Sequence, residues 1–80
     1  MPCTGHVGAL PSKLMFSVHG FIIRIDCENN SSFWLEICTD TYTVRGRGIN
    51  GPADFELSFL GNGYRVDDHN NPEFWVHVTY

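Results

Sequence analysis

Residues 21–37 read FIIRIDCENNSSFWLEI. Phe21, Ile23, Ile25 and Cys27 alternate with Ile22, Arg24 and Asp26, and beyond the polar ENNSS, Phe33, Leu35 and Ile37 alternate with Trp34 and Glu36. Successive side chains of a strand point to opposite faces, so a period of two marks strands with one face in an apolar core. A turn centred on Asn30 sets Cys27 opposite Phe33, Ile25 opposite Leu35 and, on the outer face, Arg24 opposite Glu36. Opposed residues of an antiparallel pair share a face, so this register buries one apolar set and pairs opposite charges outside.

The same period extends outward from this hairpin. On its N-terminal side Leu14, Phe16 and Val18 are apolar, and the apolar set passes from even to odd numbers across Gly20, which predicts a bulge or bend there. On its C-terminal side a two-residue turn at Thr39-Asp40 sets Ile37 opposite Tyr42 and Leu35 opposite Val44. A second tight turn at Asn62-Gly63 sets Phe59 opposite Val66 and Gly61 opposite Tyr64. Phe74, Val76, Val78 and Tyr80 form a last run. Short alternating runs separated by Gly, Asn, Asp and Pro predict an all-β fold, a single small antiparallel domain of six or seven strands. A meander curled into a small barrel or sandwich fits that spacing. Residues 1–12, with two prolines and two glycines, read as an irregular arm, and no internal repeat, linker or low-complexity segment is apparent. Residues 52–60 also carry the marks of one short helix, with Pro52 at its start, Asp54 and Glu56 in its first turn and Gly61 beyond its end. The register of the following turn favours a strand.

Eighty residues make one domain, 1–80, and a composition of 42% hydrophobic, 14% aromatic and 18% charged residues is that of a chain with a core. The formal charge of −4 and a pI near 5.3 weigh against a general phosphate-backbone binder, which carries a basic surface. Three irregularly placed cysteines are not a disulfide framework, no secretory signal opens the chain and no apolar run approaches membrane-span length. A cytoplasmic protein with no membrane partner is the expectation.

Zinc would draw on Cys3, His6, His19, Cys27, Cys38, His69 and His77, but only Cys3 and His6 have ligand spacing and no second close pair completes a site, so no metal or cofactor is expected. Neither Cys38 with His77 nor His69 beside Asp67 and Asp68 has a spacing that suggests a nucleophile and base, and an enzyme is not expected. Asp67, Asp68 and Glu73 gather near one end of the sheet, a candidate surface for a basic partner. Ile22, Trp34 and Trp75, with Met15 and Leu60, alternate away from the main apolar set, where a half-buried sheet is polar. Either residues 1–12 cover them or they form an interaction patch. The last run, EFWVHVTY, reads as an edge strand able to pair with a second copy.

Residues 43–52, TVRGRGINGP, interleave arginine with glycine as flexible nucleic-acid-binding segments do. In the register above, Arg45 faces Trp34, Arg47 faces Ser32 and Gly46 leaves room for Phe33, so Arg45 stacks on the Trp34 indole. The expected function is a small acidic non-catalytic protein-binding domain. An intracellular inhibitor is the closest type, of the kind phages and bacteria direct at toxins or at nucleic-acid-processing complexes. Its contact residues would be Trp34, Arg45, Trp75, Ile22, Asp67, Asp68 and Glu73. The alternative is a single-stranded nucleic-acid binder in which Trp34, Tyr42, Tyr64 and Trp75 stack on bases and Arg45 and Arg47 meet phosphates.

Overall fold

The alternating runs become eight antiparallel strands in the computed structural model, which describes residues 3–6, 13–48 and 51–79, and for Cys3, Thr4 and His6 only the backbone. The strands are β1 (Cys3–His6), β2 (Leu14–His19), β3 (Ile22–Cys27), β4 (Asn30–Cys38), β5 (Thr43–Arg47), β6 (Phe55–Leu60), β7 (Gly63–Asp68) and β8 (Trp75–Thr79). Two four-stranded sheets, ordered β2-β3-β4-β5 and β1-β8-β7-β6, lie face to face as a sandwich. Their edges come together where β1 lies beside β2 and β5 beside β6, but among the described residues no ladder joins the sheets into a barrel. Ile23, Ile25, Cys27, Phe33, Leu35, Ile37, Tyr64, Val66, Phe74, Val76 and Val78 fill the space between them. This is the apolar set of the alternation, and its removal from water is the main force holding the sheets together.

Three local expectations change, and the preference for a strand over a helix at residues 52–60 is borne out. The strand count is eight, because residues 3–6 of the supposed irregular arm form β1; residues 1, 2 and 7–12 lie outside the described residues. Residues 55–60 form a strand, not a helix, with Phe55 and Leu57 packed on the core. Gly20 is no bulge: Gly20 and Phe21 are the two-residue turn of a β2-β3 hairpin in which Val18 faces Ile23 and Phe16 faces Ile25. Across such a turn even-numbered residues oppose odd-numbered ones, and this by itself switches the parity of the apolar set. Finally β8, expected at an edge, lies between β1 and β7, so pairing with a second copy along it is blocked.

Three turns are displaced from their expected positions while the buried face stays the same. Glu28 and Asn29 form the turn after β3, so Cys27 faces Asn30 while Asp26 faces Trp34, and the register shift between them is taken up on β4. A four-residue connection, 39–42, replaces the two-residue turn, giving Ile37 opposite Val44 and Glu36 opposite Arg45. The turn after β6 is Gly61-Asn62, giving Phe59 opposite Tyr64. The last two displacements move the register by two residues, and an even slip leaves every side chain on its original face.

The backbone also discloses a repeat that composition and spacing had hidden. Residues 24–37, RIDCENNSSFWLEI, match residues 65–78, RVDDHNNPEFWVHV, with Arg, Asp, Asn, Asn, Phe and Trp identical 41 positions apart. The relation extends to register. Trp34 faces Arg47 and Leu35 faces Gly46 where β4 meets β5; Trp75 faces His6 and Val76 faces Gly5 where β8 meets β1. It extends to single hydrogen bonds, since Glu28 N donates to Lys13 O at 2.8 Å and His69 N to Asp54 O at 2.9 Å. Each half therefore supplies three strands to one sheet and its first strand to the other, and exchanging the halves interconverts the two sheets.

Glycines on the exchanged strands stand where a Cβ would strike the neighbouring backbone, as Gly63 does on β7. A Cβ on Gly46 would lie 2.1 Å from the Trp34 carbonyl oxygen, and one on Gly5 would lie 2.2 Å from that of Trp75. Gly46 thus serves backbone approach, and it does not make room for Phe33 as expected. Because backbone atoms cannot yield as a flexible side chain can, Gly46→Ala and Gly5→Ala should each destabilise the fold by more than about 1 kcal/mol, read from urea unfolding midpoints. Gly61→Ala, with open space around it, serves as the control.

Candidate interaction surfaces

The duplicated Arg-x-Asp and Trp generate the same arrangement on opposite outer faces. In the first half the Arg24 guanidinium carbon lies 4.6 Å from the Trp34 ring centroid, and in the second half that of Arg65 lies 5.5 Å from the Trp75 ring. Each arginine is held by the carboxylate two residues on, Arg24 Nη2 to Asp26 Oδ1 at 3.1 Å and Arg65 Nη2 to Asp67 Oδ1 at 3.0 Å. A guanidinium over an indole at a partly exposed site is worth about 0.5–1 kcal/mol. Both tryptophans are half-buried.

This arrangement corrects the expected contact set. Arg24, not Arg45, stacks on Trp34, because the longer 39–42 connection moves Arg45 opposite Glu36, whose Oε1 lies 2.8 Å from Arg45 Nη2. The hydrogen bond from Arg45, then that from Arg24, holds the Glu36 carboxyl below its usual pKa, and the hydrogen bond to Asp26 leads in raising that of Arg24. Trp34, Ile22 and Arg45 share the outer face of one sheet, while Trp75 and Asp67 lie on the outer face of the other, so they do not form one patch. Arg47 is exposed opposite Trp34.

Asp68 is not available to a partner. It is 6% exposed, and its Oδ1 accepts hydrogen bonds from the backbone N–H groups of Asp54 at 3.0 Å and Asn70 at 2.9 Å. It fastens the approach to β6 onto the loop after β7. Glu73 is exposed in that loop. Among the cysteines, Cys27 is buried in the core and Cys38 is half-buried on an outer strand position opposite Ile22. No group of three or more His, Cys, Asp or Glu side chains suited to a metal occurs among the described residues.

The alternating pattern gave no hint of the most exposed aromatic side chains. Phe21 is 67%, Tyr42 63% and Phe59 57% exposed, with Val18 also exposed. The turn 20–21, the connection 39–42 and the turn 61–62 all fall at the same end of the sandwich, which places Phe21 and Tyr42 in two of these connections and Phe59 just before the third. Tyr42 meets Phe59 edge-on at 5.1 Å, and Phe59 meets the buried Tyr64 at 5.7 Å, so the exposed rings are braced against the core. The Phe21 carbonyl accepts hydrogen bonds from Thr39 N at 2.8 Å and Thr39 Oγ1 at 3.1 Å, fixing one turn against the next. Tyr42 has φ of 56°, a left-handed conformation that costs a bulky side chain about 1–2 kcal/mol. In the sequence Phe21 and Tyr42 pass for inward strand residues. Only the placement of the turns shows them to be exposed.

None of the five Lys and Arg residues, Lys13, Arg24, Arg45, Arg47 and Arg65, falls in the turns 20–21 and 61–62 or the connection 39–42. The opposite end is polar, with Glu28, Asn29 and Ser31 exposed at one turn and Asp54, His69 and Glu73 exposed around the other connections. There the His69 ring lies between two carboxylates, its Nδ1 3.3 Å from Asp54 and its Nε2 hydrogen-bonded to Glu56.

Comparison of the chain with protein-family models, with curated proteins and with solved structures returns no match.

The hydrogen bond to Glu56, with a second contribution from Asp54, raises the His69 pKa above its ordinary 6.5. A group whose folded pKa exceeds its unfolded one contributes stability in full below the unfolded value, here 6.5, and loses it as pH rises through the raised pKa. Proton-detected histidine titration should therefore find His69 above 6.5 and Glu56→Gln should bring it back toward that value. A titration unchanged by Glu56→Gln would show that the pair does not form in solution.

Proposed function

We propose that the chain is a small acidic non-catalytic protein-binding domain, of the inhibitor type, that meets its partner through the aromatic end. The observation that carries this reading is the exposure of Phe21, Tyr42 and Phe59, each more than half exposed, at one end of the sandwich, with Tyr42 and Phe59 braced through the buried Tyr64. Pre-ordered aromatic rings lose little side-chain freedom on binding and supply large contact areas, which is why they dominate protein interfaces. The duplication supports the same division. Arg24, Asp26 and Trp34 recur as Arg65, Asp67 and Trp75 in the same geometry, as a structural role requires, whereas Phe21 corresponds to Asn62 and Val18 to Phe59. Specific recognition belongs where the halves differ.

The single-stranded nucleic-acid reading is less well supported. The turns 20–21 and 61–62 and the connection 39–42 carry no Lys or Arg, and the arginine-rich face offers Trp34 with Arg24 already over its ring. Stacking platforms for bases combine exposed rings with cations along one groove.

The test is a differential capture from cells of the source. Proteins retained by the wild type should be lost with Tyr42→Ala and Phe59→Ala, each weakening binding about tenfold or more as interface anchors do, and kept with Arg47→Ala. Phe21→Ser should likewise weaken capture while changing stability by no more than about 0.5 kcal/mol. Retention by the aromatic variants, or salt-sensitive binding of single-stranded DNA or RNA by the wild type, would contradict the proposal.

A further inference from the structure

We propose that two copies of this chain exchange halves, residues 3–38 of one folding against residues 43–79 of the other, with the connection 39–42 opening as the hinge. Every contact between the halves is one that two separate chains can make equally well. The strand pairs β4-β5 and β1-β8 each join one half to the other, and they do so in matching registers, with Leu35 opposite Gly46 in one and Val76 opposite Gly5 in the other. Neither half can complete its own sheet, because its first strand lies in the sheet built mainly from the other. An opened chain therefore presents an uncovered β4 and an uncovered β8, which the β5 and β1 of a second copy fit in the same registers.

The hinge favours opening in one respect and opposes it in another. Tyr42 holds a left-handed backbone at φ 56° only to turn the chain from β4 back into β5, and a straightened connection releases it. Opening also takes Tyr42 from Phe59 and breaks the bonds from Thr39 to Phe21. The interface between halves is the same in both forms, so the balance is set by the hinge and by protein concentration. Once formed, such a dimer cannot come apart without unfolding its core, so it persists on dilution.

The experiment is refolding of the full chain from denaturant at increasing protein concentration, followed by size separation with mass measurement by light scattering. The expected result is a dimer fraction that rises with refolding concentration, survives dilution, and forms mixed species from tagged and untagged chains only when the two are refolded together. Tyr42→Gly and Tyr42→Ala both lack the ring and differ in the strain of the closed hinge, so Tyr42→Gly should give the lower dimer fraction of the two at a given concentration. Deleting residues 39–42, which leaves β4 and β5 no connection to turn through, should abolish the monomer. Monomer alone at every refolding concentration, or a dimer that dissociates at once on dilution, would overturn the proposal. So would a Tyr42→Gly dimer fraction equal to or above that of Tyr42→Ala.

Discussion

Backbone contact between β4 and β5, and its counterpart between β8 and β1, is the constraint on which the molecule rests. An uncovered strand exposes a row of hydrogen-bonding groups, and each half of this chain leaves one such row for the other half to cover. The approach is close enough that Gly46 and Gly5 stand where any Cβ would strike a carbonyl oxygen of the neighbouring strand. Because each sheet is built mainly from one half, the residues packed between the sheets come from both halves. Ile25, Phe33 and Leu35 from one half meet Val66, Phe74 and Val76 from the other in one core. A domain of eighty residues has little stability to spare, and a single interlocked core uses the available apolar surface more fully than two separate halves would.

That constraint also separates structural from recognition residues. Tryptophan on the outer face of a sheet looks like a binding feature, yet Trp34 and Trp75 occur at matching positions on opposite sides, each beneath an arginine pinned by its own strand's aspartate. The pairs extend apolar cover to the outer surface while keeping the charged group in water. Asp68 shows the same distinction among the acids. Its position in a run with Asp67 and His69 suggests a surface cluster, but its carboxylate is turned inward to satisfy two backbone donors. What remains for recognition are residues whose counterparts differ, as Phe21 differs from Asn62 and Phe59 from Val18, at the end where the turns 20–21 and 61–62 flank the 39–42 connection.

The all-β class, the buried apolar residues of β3, β4, β7 and β8 and the pairing of Arg24 with Glu36 were legible in the sequence, because each follows from a strict period of two. Turn positions were not, since displacing a register by two residues keeps every face and leaves the pattern unchanged. The candidate site depended on those positions. With Thr39-Asp40 as the turn, Arg45 falls on Trp34; with four residues in the connection it falls on Glu36, and Tyr42 becomes an exposed ring. The repeat was present in the sequence but rests on few identities, and its apolar positions exchange freely among Ile, Leu and Val, which any strand would show. Gly20 was misread because a parity switch has two causes, a bulge within one strand and a two-residue turn between two, and the alternation cannot distinguish them.

The interlocking of the halves has a direct test in the two tryptophans, one in each half. With Trp34→Phe and Trp75→Phe as single-tryptophan variants, urea unfolding is followed by the fluorescence of the remaining indole and by far-ultraviolet circular dichroism. One core shared by both halves predicts that, within each variant, the two signals trace a single coincident transition, the mark of all-or-none unfolding. Separate midpoints for fluorescence and circular dichroism, with one half melting before the other, would contradict the account.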